Sequence, residues 1–197
     1  MSIQKEIWGK LELGKKGDIF FPSDFTMLGS DEAVRQGLSR LVKENKLLRL
    51  AKGIYLYPEI DNELGIIYPS IENIAEAIAR RDKTRIIPTG VQALNRLGLS
   101  TQIPLKASYM TDGTPRIIKI GNRTIYFQKK SPKILDIKSE LLVLLIAGLQ
   151  ELGKDDITTE ITNKIKNIIN KDTKSNIFNE LSKAPAWIAK LIKNISE

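Results

Sequence analysis

Arg35, Gln36, Ser39, Arg40 and Lys43 place one amide, one hydroxyl and three cations within a short stretch of chain. On a helix advancing about 100° per residue, Gln36, Ser39, Arg40 and Lys43 fall opposite the apolar stripe of Val34, Leu38, Leu41 and Val42, with Arg35 at the edge. Side chains of these types suit the major groove of DNA: Arg pairs with guanine, Gln with adenine, and Lys reaches phosphate. Lys46 follows, and Arg49 and Lys52 lie on either side of the tip of a short hairpin. Cations there would grip the phosphate backbone, which fixes position but carries no sequence information. A solvated helix face is the plainer reading of the helix alone; the basic hairpin beside it favours DNA. Asp31 and Glu32 suit the positive end of the helix but repel phosphate, so base contacts are expected from its middle.

A second basic set runs through the middle of the chain: Arg80, Arg81, Lys83, Arg85, Arg96, Arg116, Lys119 and Arg123. It reads either as a second surface for DNA or an acidic partner, or as a scattered solvated face. Arg80 and Arg81 at a helix C-terminus are already favoured by the helix dipole.

Histidine and cysteine are absent. That removes the usual general base, the commonest metal ligand, thiol chemistry and disulfides. No G-x-x-x-x-G-K followed by Ser or Thr occurs, and no G-x-G-x-x-G. Gly29-Ser30 followed by acids resembles the start of a nucleotidyltransferase site, but no paired metal-binding carboxylates follow on a nearby strand. Asp155-Asp156 is explained as a helix cap. The expectation is a binding protein and not an enzyme, with no catalytic residue, no metal and no cofactor.

These residues need elements to position them. Ile3, Ile7 and Leu11 predict a first helix, Ile19–Phe21 a short strand, and Pro22–Phe25 a short helix broken by Gly29. Ser30 caps the helix that carries the cations, which should run to about Asn45. Leu47–Leu50 and Ile54–Tyr57, joined by Ala51-Lys52-Gly53, read as a hairpin. Helix, strand, helix, helix, hairpin is the order of a winged helix-turn-helix. Polar Asp61–Gly65 reads as a linker.

Beyond it, Ile71, Ile74, Ala75, Ile78 and Ala79 stripe another helix, and Arg85–Ile87 forms a strand. Thr89 is expected to cap a helix through Leu97. Ala107–Thr111, Arg116–Ile120 and Arg123–Gln128 are strands, the last two joined by the Gly121-Asn122 turn. From Ser139 the pattern is helical. Leu141–Leu149 belong to a buried helix, and Ile157, Ile161, Ile165, Ile168 and Ile169 form a narrow stripe. Trp187, Ile188, Leu191, Ile192 and Ile195 form a last helix, a candidate dimer or partner surface at Trp187.

The 197 residues carry a net charge of +8, a sign that favours polyanionic partners. Residues 1–60 hold ten Lys/Arg against eight Asp/Glu, residues 61–133 twelve against six, and residues 134–197 nine of each. The small excess in the first segment predicts moderate affinity per subunit, which a homodimer reading two half-sites would offset. The N-terminal MSIQKEIWGK lacks a leader's apolar core and cleavage site, so the cytoplasm is the expected compartment. The longest apolar run, Leu141–Gly148, falls short of the roughly 20 residues that span a bilayer. The expected architecture is α+β, with an N-terminal winged helix-turn-helix over residues 1–60. A mixed α/β domain ending in helices follows over residues 66–197.

Several segments together resemble a known family. They are Phe21–Phe25 (FPSDF), Ala33–Val42 (AVRQGLSRLV), Leu48–Tyr55 (LRLAKGIY), Ile74–Arg81 (IAEAIARR), Pro88–Gly90 (PTG), Asn95–Pro104 (NRLGLSTQIP), Tyr109–Gly113 (YMTDG) and Ile118–Gly121 (IKIG). In this order they resemble the AbiEi-like antitoxins of type IV toxin–antitoxin (abortive infection) systems. The resemblance covers roughly residues 18–150. It implies a winged-helix DNA-binding domain joined to an antitoxin domain. It also implies autorepression of an operon that encodes a nucleotidyltransferase-like toxin. In such systems the toxin is the functional partner, and its effect is countered without direct contact being required. The alternative is a winged-helix transcriptional regulator, unrelated to any toxin, whose second domain senses a ligand or mediates dimerisation.

Overall fold

The computed structural model describes residues 2–102, 106–129, 132–172 and 177–196, and the chain divides into two compact units. Unit 1 comprises Met1–Lys83 and Ile118–Arg123; unit 2 comprises Thr84–Ile117 and Thr124–Glu197. The Ile103-Pro104 pair of the quoted segments lies outside the described residues.

Unit 1 begins with helix α1 (Ile3–Glu12), strand β1 (Ile19–Phe20) and a 3-10 helix over Pro22–Leu28. Asp24 closes the start of that 3-10 turn by accepting from the Phe21 N–H at 2.8 Å. Helix α2 (Asp31–Lys43) starts at Ser30, whose hydroxyl accepts from the Ala33 N–H at 3.4 Å. Asp31 and Glu32 complement the positive end of its dipole. Its buried residues are Val34, Gly37, Leu38 and Leu41. Gly37 belongs there for a steric reason: a Cβ at this position would sit 2.9 Å from Ile7 Cδ1. The missing side chain is what lets α1 and α2 approach. Ile7, Leu11, Phe25, Val34, Leu38, Leu41, Leu47 and Tyr55 form the core of this unit. Each such fully buried apolar side chain contributes about 1.5–3 kcal/mol.

Strands β2 (Leu48–Ala51) and β3 (Ile54–Leu56) complete a three-stranded antiparallel sheet in the order β1-β3-β2. Ala51 pairs with Ile54, so Lys52 and Gly53 lie at the turn, and Gly53 takes a positive φ (+74°) that glycine adopts without strain.

The polar stretch read as a linker is instead the turn of a hairpin. Strands β4 (Glu59–Asp61) and β5 (Gly65–Ile67) pair antiparallel, with Ile60 opposite Ile66. Asp61 closes the turn by accepting from the N–H groups of Glu63 (2.8 Å) and Leu64 (2.9 Å). Helix α3 (Ile71–Asp82) follows. Ser70 accepts from the Asn73 N–H at 3.0 Å at its start, and a left-handed Lys83 ends it.

Strands β6 (Ile86–Pro88), β7 (Lys106–Thr111), β8 (Arg116–Ile120) and β9 (Arg123–Lys129) form a sheet in the order β6-β7-β9-β8, which belongs to unit 2 apart from Ile118–Arg123. β6 runs antiparallel to β7, but β7 and β9 are parallel, so the sheet is mixed. The tip of the β8–β9 hairpin belongs to unit 1. Between β6 and β7 lies helix α4 (Val91–Arg96). Thr89 does not cap it: Gly90 holds the cap position, while the Thr89 hydroxyl donates to the Ser108 carbonyl at 3.1 Å. After α5 (Pro132–Leu135) come α6 (Glu140–Leu152), α7 (Thr159–Lys171), a 3-10 helix over Ile177–Lys183 and α8 (Ala186–Ser196). α6 buries residues nearly all round, from Leu142 to Leu149, because α4 and the later helices cover it. Ile188, Ile192 and Ile195 of α8 are buried in the same core, and Trp187 packs against it half-buried. The fold is therefore mixed α and β with helices at its C-terminal end. No helix among the described residues is long and apolar enough to cross a membrane.

Candidate nucleic-acid interface

The face of α2 that carries cations is exposed because its opposite face is committed to the core. Arg35, Gln36, Ser39, Arg40 and Lys43 are all exposed, while Val34, Leu38 and Leu41 are buried. Lys46, Arg49 and Lys52 are exposed as well. Gln36 is steadied by its own helix, donating from Nε2 to Glu32 Oε1 at 3.4 Å. No ion pair with another described residue engages Arg35, Arg40, Lys43, Arg49 or Lys52.

Lys46 is different. Its Nζ lies 4.9 Å from the Trp8 ring centroid and 3.1 Å from Glu44 Oε2. Glu44 also accepts from Gln4 Nε2 at 2.6 Å. The Gln4 amide, and then Lys46, hold the Glu44 carboxyl below the usual carboxylate range. Trp8 meets Tyr57 edge-on, with centroids 5.8 Å apart. Lys46 is thus tied to α1 and placed beside β2. Sequence reasoning found Lys46 but missed its neighbour Glu44 and the contacts with Gln4 and Trp8, which are tertiary and have no local signal.

This arrangement offers hydrogen-bond donors and positive charge on a helix and an adjacent tight turn, which suits a polyanion. Among the described residues no cluster of His, Cys, Asp or Glu is placed to hold a metal ion.

Residues 6–177 match a family of unknown function, DUF6088. The chain belongs to this family. No curated protein matches it. The DUF6088 match takes in both compact units and stops at Ile177, before α8.

In this DUF6088 member the second basic set does not gather on one element or in one unit. Arg80, Arg81, Lys83, Lys119 and Arg123 belong to unit 1; Arg85, Arg96 and Arg116 belong to unit 2. Arg81, Arg85 and Arg116 make contacts that tie them into the fold. Arg81 pairs with Asp82 at 2.7 Å and stacks over the Phe21 ring, 4.5 Å from its centroid. Arg85 donates to the Ile137 carbonyl at 2.5 Å, and its backbone N–H donates to Asp112 at 2.8 Å. Arg116 lies half-buried, 5.3 Å from the Phe127 ring centroid. Arg80, Lys83, Arg96, Lys119 and Arg123 are exposed.

Unit 2 also holds a cleft of about 630 Å³ between its sheet and α6, which has no local signal in the chain. Thr89, Gln92, Lys106, Ser108, Gln128 and Glu151 are among its lining residues. Gln92 donates to the Tyr109 hydroxyl at 2.6 Å, while its buried Oε1 has no hydrogen-bond partner among the described residues.

Proposed function

We propose that this chain is a winged helix-turn-helix repressor that binds double-stranded DNA, with α2 as the recognition helix and the β2–β3 turn as the wing. The observation that carries this reading is the exposed set Arg35, Arg40, Lys43, Arg49 and Lys52 on α2 and β2–β3, without ion-pair partners among the described residues, behind which Val34, Leu38 and Leu41 of α2 are buried in the core. The element order and the β1-β3-β2 sheet support it, because a hairpin packed after a helix pair sets its turn beside the groove that the helix enters. Arg40 and Gln36 read base edges; Lys43, Arg49 and Lys52 hold phosphates.

Within this reading the protein is the antitoxin and autorepressor of a type IV toxin–antitoxin operon, acting in the cytoplasm beside a nucleotidyltransferase-like toxin. The ordered segments from Phe21–Phe25 to Ile118–Gly121 that resemble AbiEi-like antitoxins support that part. The second reading, a regulator whose distal part senses a small molecule, is favoured by the cleft of unit 2 and by Gln92 Oε1, buried there without a hydrogen-bond partner among the described residues.

A gel-shift assay with the DNA upstream of the chain's own gene tests the binding. Sequence-preferring retention is expected, and equal indifference to that DNA and to unrelated duplexes would remove the repressor reading. Co-expression with the product of an adjacent gene tests the antitoxin role: rescue of growth supports it, and an innocuous neighbour leaves the second reading.

A further inference from the structure

Three elements frame the cleft of unit 2. The turn before α4 is fastened to β7, for the Thr89 N–H (2.9 Å) and hydroxyl (3.1 Å) both donate to the Ser108 carbonyl. Gly90 in that turn holds a positive φ (+63°), and a Cβ built on it would lie 3.4 Å from Glu151 Oε2. The Glu151 carboxylate therefore stands against the turn. Ala147, Gln150 and Glu151 are spaced to share one side of α6. Lys106 and Ser108 fall on one side of β7, and Gln128 of β9, paired with Met110, joins them there. Lys106, Ser108, Gln128, Gln150 and Glu151 all line the cleft, with Gln92 of α4.

Charges of both signs thus line one cleft. Lys106 and Glu151 are exposed, and neither has an ion pair with another described residue. A ligand that is only a cation is repelled by Lys106, and one that is only an anion by Glu151; a molecule carrying one charge of each sign satisfies both. The amides of Gln92, Gln128 and Gln150 add groups that both donate and accept. Gln92 Oε1 is an acceptor for which no described residue supplies a donor. The volume of about 630 Å³ lies within the range of about 300–1,000 Å³ that small-ligand sites occupy.

We propose that the cleft binds a small zwitterion, a free α-amino acid or a dipeptide, with its carboxylate on Lys106 and its ammonium on Glu151. An uncharged polar side chain of that ligand meets the amides of Gln128 and Gln150. The inference rests on the second reading above, that unit 2 senses a small molecule, and names the class of that molecule.

The test uses the full chain without DNA, at physiological ionic strength, which screens its overall charge. L-Glutamine and glycyl-L-glutamine are the zwitterionic probes. L-Glutaminamide lacks the carboxylate, and N-acetyl-L-glutamine lacks the ammonium. In amide NMR titrations a zwitterion should shift the resonances of Gly90, Gln92, Lys106 and Gln128 to saturation. Both singly charged analogues should bind at least about tenfold more weakly, the loss of one charge-assisted hydrogen bond. The tighter of the two zwitterions tells amino acid from dipeptide. Glu151→Gln should weaken the zwitterion at least about tenfold but bind N-acetyl-L-glutamine no more weakly than before. Lys106→Gln should weaken the zwitterion alike but bind L-glutaminamide no more weakly. Both variants should keep the native urea midpoint. The absence of a saturable shift with either zwitterion overturns the proposal, as does an analogue that binds as tightly, or unchanged affinity in both variants. A singly charged analogue that binds tightly in the cleft leaves the second reading standing with its ligand class wrong. A bound zwitterion that does not alter gel-shift retention of the upstream DNA keeps the site and removes the sensing role.

Discussion

Arg40 and Lys52 are both exposed cations of unit 1, yet the proposed function gives them different work. Arg40→Ala is expected to relax base preference at one operator position by about 1–3 kcal/mol, while Lys52→Ala weakens every duplex alike and reduces the salt slope by about one. Gel shifts on operator and scrambled duplexes over a salt series distinguish the two; unchanged affinity in both variants would remove the assignment. Glu180 carries a prediction of another kind. Its carboxylate accepts from the N–H groups of Lys138 (2.9 Å) and Ser139 (2.8 Å) and from Lys183 (3.0 Å). These bonds, the two backbone ones first, lower its pKa from 4.5 to about 2. A folded-state pKa below the unfolded one stabilises the fold above about pH 4.5 and loses that contribution as pH falls toward 2. Glu180→Gln should therefore be less stable at neutral pH, and its urea midpoint should fall less steeply between those limits. The cations of α2 were legible because helical periodicity alone separates its outer face from its core. The hold of Glu180 on the start of α6 was not, since its partners lie 41 and 42 positions away.

The close contact of α1 with α2 rests on Gly37, and a larger residue there must push Ile7 aside. Gly37→Val should cost about 1–3 kcal/mol by overpacking, visible as a lower urea midpoint with the far-ultraviolet spectrum kept. A midpoint equal to the native one would mean that the helices separate freely. The same scale exposes where sequence reading stops. Caps and turns were legible at Ser30, Gly53 and Gly121, where residue type and backbone conformation are locally coupled. Asp61–Gly65 was misread as a linker because its polarity serves a turn, in which the Asp61 carboxylate takes two backbone N–H groups. Thr89 looked like a cap, but its hydroxyl is drawn to the Ser108 carbonyl on β7. The parallel pairing of β7 with β9 had no local mark, for it joins strands with β8 between them in the sequence.

Across the whole chain the charge of +8 is unevenly spread: no Lys or Arg occurs from Gly53 to Ala79, while Glu59, Asp61, Glu63, Glu72 and Glu76 do. Total charge therefore said little about where a polyanion would lie. If the five unpaired cations of α2 and β2–β3 all meet phosphate, the slope of log K against log salt is at most about −4.5 per bound copy, and twice that for a pair on two half-sites. A much steeper slope in a salt titration would bring in the exposed cations of the second basic set. The division into two units has an optical corollary. The chain has two tryptophans, Trp8 in unit 1 and Trp187 in unit 2. Trp187→Phe leaves an emission that belongs to Trp8 alone, an indole with the Lys46 ammonium over its ring. Each half of the molecule thus carries its own native fluorophore, and the one in unit 1 stands next to a cation of the proposed DNA surface.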